Sequence, residues 1–161
     1  MPAPAKAATI NIPDPTIFKL DNGLTVILSE NHKIPKVTFN LSVTDRTNLE
    51  GGKAGLADLA GSLILSGTQS MTKDELDAKK DYIGANINAS STNISLSCLT
   101  KFKEDGLKLM TDVLYNASFP ESEFIRVKKQ EESGLLSTKS SPEAMGSNAL
   151  MKTLFVNHPY G

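Results

Sequence analysis

The sequence predicts an α+β fold, a mostly antiparallel sheet with helices packed on one face. Three observations carry that reading. Asn22-Gly23 sits between two short apolar runs, which is the strongest short-range signal for a β-hairpin. Residues 37–43, and the runs on either side of Ser91-Thr92-Asn93, alternate apolar and polar side chains, as half-buried strands do. Helical periodicity fills the segments between and after these strands, so the elements read β-β-β-α-α-β-β-α-α-α. Strands in hairpin order with helices between them give an antiparallel or mixed sheet carrying one helical layer.

The chain has 161 residues, 39% of them hydrophobic and 22% charged, with a net charge of −1. That length suits one domain with a real core. Near-neutral charge argues against a nucleic-acid surface, which needs a basic patch. No stretch approaches the roughly 18 consecutive apolar residues of a membrane span. The single cysteine, Cys98, excludes an internal disulfide framework and a cysteine-rich metal site.

Taken in order, residues 1–16 read as a flexible lead-in. They open Pro/Ala-rich and lack the apolar core of a signal peptide. Residues 17–20 and 24–29 are the arms of the hairpin. His32 stands alone in the loop 31–35 and reads as a surface residue. The strand at 37–43 gives way to a polar, Gly-containing loop at 45–53.

Residues 55–68 read as one buried helix closed by Gly67. Leu56, Leu59, Ala60, Leu63 and Ile64 fall on one stripe, expected to be buried. Asp58, Gly61 and Ser62 share a second stripe, expected to face a cleft. Thr72 and Glu75 form a capping box that opens the next helix, and Gly84 closes it. Strands at 85–90 and 94–100 follow, with Ile94, Leu96 and Cys98 on one face. Cys98 therefore reads as a core thiol. The helix at 104–115 should turn Leu107, Met110, Val113 and Leu114 inward. Two more helices cover Glu121–Thr138 and 142–155, the second starting at Pro142.

The segment 55–68 resembles the signature helix of the pitrilysin, insulinase and mitochondrial processing peptidase family of zinc peptidases. That helix runs G-L-A-H-x-x-E-H-x-x-x-x-G-T, an inverted zinc motif. Its flanks match here at Gly55-Leu56-Ala57 and Gly67-Thr68. The L-x-N-G-L-x-V-x-L pattern of the hairpin matches as well. The chemistry does not match. Asp58 and Ser62 stand at the two zinc-binding histidines, and Gly61 stands at the glutamate base. On the long helix, Gly134 aligns with the third ligand and Val127 with an earlier glutamate. Glu131 and Glu132 lie off that register, on a solvated face. Zinc needs N, S or carboxylate ligands and catalysis needs a base; Asp58 alone supplies one ligand, and Gly61 supplies nothing.

The resemblance thus implies a non-catalytic member of the family, with a peptidase-like metallohydrolase fold. Residues 17–161 would form most of one α+β domain, with its last strands and a second, similar domain beyond Gly161. The implied role is a subunit that pairs with an active zinc peptidase, or with a second copy, and helps enclose an unfolded peptide. Zinc would then be expected only in the active partner. A bacterial protein of this kind would sit in the periplasm or cell envelope. The alternatives are a structural or assembly protein with the same fold, and an active zinc metalloendopeptidase with an unusual ligand set.

Overall fold

The computed structural model describes residues 14–43, 50–156, 158 and 160. Most of the expected lead-in, the first part of the loop at 45–53 and the final glycine lie outside the described residues. The chain divides into two compact units between Pro35 and Lys36.

The first unit contains the hairpin. Strand β1 (Thr16–Lys19) pairs antiparallel with β2 (Thr25–Leu28). The Asn-Gly turn works as its sequence dictates. Gly23 takes a φ of +88°, which few side chains tolerate, and the Asn22 side chain accepts the Leu24 N–H at 3.1 Å. His32 lies exposed in the loop that follows, 3.1 Å from Glu30.

The second unit is built on an antiparallel sheet of β3 (Lys36–Ser42), β5 (Asn93–Leu99) and β4 (Asn86–Ala89), in the spatial order β3-β5-β4. Alternation sends Ile94, Leu96 and Cys98 of β5 into the core, all below 5% exposed. The opposite face is mostly polar, with Thr38, Asn40, Ser95 and Ser97 along its middle. There the Asn93 side chain donates to Asn40 at 2.6 Å and to Ser42 at 2.9 Å.

Helices α2 (Lys73–Ile83) and α3 (Lys103–Asn116) cover the apolar face. Leu76 and Ile83 of α2 meet Ile87, Ile94 and Leu96 of the sheet and Leu109, Met110 and Val113 of α3 in one cluster. Burying each such side chain is worth about 1.5–3 kcal/mol. Leu107 and Leu114, expected inward with Met110 and Val113, are only half-buried, and Leu109 and Gly106 take the inner positions. The reason is close approach: a Cβ on Gly106 would lie 3.1 Å from both the Cys98 sulfur and a Leu96 methyl. The helix therefore rests on β5 along its glycine.

The punctuation of α2 is as its residues demand. Thr72 and Glu75 make both bonds of the capping box, and Gly84 closes the helix at a φ of +59°. Two further helices follow, α4 (Glu121–Thr138) and α5 (Pro142–Leu154), the latter capped by Ser141. No helix among the described residues is long and apolar enough to cross a membrane.

Candidate functional site

The candidate site is the second stripe of the signature helix. Helix α1 spans Leu56–Leu63, and its chain leaves helical geometry before reaching Gly67, whose φ is +123°. The helix is thus shorter than the segment that predicted it. Its N-terminus is capped from outside. Glu50 accepts the N–H groups of Gly55 and, at 2.7 Å, Ala57. These bonds, Ala57 first, hold the Glu50 carboxyl below its ordinary range. An acidic side chain five to seven residues upstream gives no recognisable capping motif, so this partner was not legible in the sequence.

The expected burial of α1 needs correction. Leu63 is buried, but Leu56 is 54% exposed and Leu59 half-buried. Periodicity assigns a face to a helix and not the length over which neighbours cover it. The second stripe does not face a cleft along its whole length either. Asp58 and Ser62 are exposed, whereas Gly61 is fully buried. A Cβ on Gly61 would lie 2.4 Å from the Ser91 nitrogen and 2.5 Å from the Ser90 carbonyl carbon. The turn between β4 and β5 therefore lies directly on that glycine.

Helix α1 packs beside α4, which carries Gly134. Val127 is buried at 6% exposure, while Gly134 is exposed with open space where a Cβ would stand. Glu131 and Glu132 are exposed, and Glu132 lies 3.9 Å from Lys128 on the solvated face. Asp58, Ser62 and Gly134 supply one carboxylate, one hydroxyl and no side chain. That donor set does not fit zinc, which takes three strong ligands. No group of three His, Cys, Asp or Glu side chains among the described residues is placed to share a metal ion.

A second concavity lies elsewhere. It measures about 580 Å³ and is lined by the hydroxyls of Ser66, Thr68, Ser70 and Ser118, at the starts of α2 and α4. None of Asp58, Gly61, Ser62 or Gly134 lines it. Glu123 bridges its two sides, pairing with Lys73 at 3.3 Å and Arg126 at 2.9 Å. Hydrogen bonding to Arg126 lowers the Glu123 carboxyl pKa. Glu123 is thus held between the two cations Lys73 and Arg126.

Residues 25–161 match the family described as Insulinase (Peptidase family M16). The chain belongs to this family. Solved structures share the fold of this M16 chain. A peptidase M16 inactive domain from Pseudomonas fluorescens superposes with a TM-score of 0.85 at 23% identity, over 92% of this chain and 37% of that one. A protease from Helicobacter pylori gives 0.73 at 23% identity, over 93% and 38%. The periplasmic protease PqqL from Escherichia coli gives 0.72 at 15% identity, over 91% and 17%. The M16 chain thus spans well under half the length of these structures. No curated protein sequence shows significant similarity to it.

Proposed function

We propose that this M16 chain is a non-catalytic, peptidase-like subunit that holds polypeptide beside an active zinc peptidase partner. The observation that carries the reading is the state of the signature face. Its base position is a glycine pressed against backbone, and its ligand positions hold Asp58, Ser62 and Gly134. Water activation needs a metal or a base, and this face offers neither. Zinc belongs to the partner in this reading. Supporting it, the structure from Pseudomonas fluorescens is described as an inactive domain.

Peptide binding is separable from that chemistry. Among the described strands, β3 and β4 are the sheet edges, and β3 runs for seven residues without interruption. The main-chain groups of such an edge hold an added strand without any catalytic side chain. A periplasmic or envelope setting is favoured by the description of the similar PqqL structure. In the full protein, further strands and a second domain would complete the fold.

The test combines affinity purification with an intact M16 zinc peptidase and a cleavage assay on an unfolded peptide. The chain alone should leave the peptide whole and should bind the partner or the peptide. Cleavage by the chain alone, stopped by a chelator, overturns the reading.

A further inference from the structure

We infer that the β4–β5 turn fills the place of the water-activating base, so that this site is closed at the base position while its ligand positions stay open. The inference rests on the reading of α1 as a degenerate signature helix.

The asymmetry is in the glycines and their neighbours. Asp58 and Ser62 are exposed, and the Cβ direction of Gly134 points into empty space. Larger side chains at those three positions meet no obstacle there. Gly61 differs. Its Cβ direction is occupied by the Ser91 nitrogen and the Ser90 carbonyl carbon and Cα, at 2.4, 2.5 and 3.0 Å. These are backbone atoms, which cannot swing aside as the end of a long side chain can.

The turn is also tethered. The Ser90 N–H donates to the Asn93 carbonyl at 2.8 Å, and the Val43 N–H donates to the Thr92 carbonyl at 2.8 Å. The Asn93 side chain ties the same turn to Asn40 and Ser42. Moving the turn away from α1 would break into the β3–β5 ladder. Every L-residue at position 61 must therefore displace either this turn or the helix itself. Positions 58, 62 and 134 have room for larger side chains; position 61 does not.

The first test uses the unaltered protein. Nuclear Overhauser spectroscopy should show the Gly61 α-protons close to the Ser91 amide proton, and absence of that contact overturns the inference. The second compares denaturant midpoints. Helix propensity alone would make G61A more stable than wild type. The inference demands the opposite sign, a lower midpoint for G61A with none for S62A. A G61A midpoint at or above wild type overturns it. The third builds D58H/S62H, two exposed histidines at i and i+4, which should fold as wild type and bind cobalt(II). Adding G61E should lower the midpoint sharply; an unchanged midpoint overturns the inference. Chelator-sensitive peptide cleavage by the wild-type chain would instead sink the non-catalytic reading on which the inference rests. That result would leave the Gly61–Ser91 contact and the G61A midpoint as independent observations.

Discussion

The Glu50 carboxylate accepts the Ala57 N–H at 2.7 Å and so caps α1, the helix that carries Asp58, Gly61 and Ser62. A carboxylate at a helix N-terminus satisfies orphan N–H groups and complements the helix dipole. The pKa of Glu50 is lowered in the folded chain by these bonds. Its contribution is therefore fully present above the unfolded pKa, about 4.3, and is lost as pH falls through the lower folded value. Glu50→Ala should reduce the melting temperature at neutral pH. The gap between variant and wild type should narrow below about pH 4. Thermal unfolding followed by circular dichroism across pH checks this, and a gap independent of pH would count against the charged cap.

The two ends of the apolar stripe on α1 should differ in weight. Leu63 is 3% exposed and Leu56 is 54% exposed. Leu63→Ala should cost about 2–5 kcal/mol, the usual range for a buried leucine. Leu56→Ala should stay within about 0.5 kcal/mol of wild type. Urea unfolding of the two variants decides it, and equal costs would mean that α1 packs along its full length.

The capping box of α2 offers a test of local chemistry. The Thr72 side chain accepts the Glu75 N–H at 3.3 Å, and the Glu75 carboxylate accepts the Thr72 N–H at 2.8 Å. Thr72→Ala removes the first bond, together with the bond the Thr72 hydroxyl donates to Glu75 at 2.8 Å, and should cost about 1 kcal/mol. Thr72→Ser keeps the acceptor and should lose much less. Similar unfolding midpoints for the two variants would show that the hydroxyl is not the stabilising group.

Cys98 should behave as a core thiol. It is 2% exposed, and burial pushes its pKa up. The thiolate is the reactive form, so native protein at pH 8 should react with a disulfide reagent far more slowly than unfolded protein. The reaction is followed by absorbance with and without urea. A native rate matching the unfolded rate would place the thiol at the surface.

Where a signal lies within a few residues, the amino-acid sequence by itself determined the outcome. Asn22-Gly23 made the hairpin turn, Thr72 and Glu75 opened α2, and Gly84 closed it, because each bond involved joins near neighbours in the chain. The alternation that buries Ile94, Leu96 and Cys98 was legible for the same reason. Residue identity alone put Asp58, Gly61 and Ser62 where the zinc motif of the resembled family has histidine, glutamate and histidine. Tertiary structure decided what lies against those positions. Ser91 meets Gly61 across thirty residues of chain, and Leu96 and Cys98 meet Gly106 across a helix–strand contact. Glu50 reaches Ala57 over a loop with no capping motif. Periodicity sorts side chains into faces, but only packing determines which part of a face meets another backbone. That is why Leu56 is exposed while Gly61 is buried against the backbone of Ser90 and Ser91.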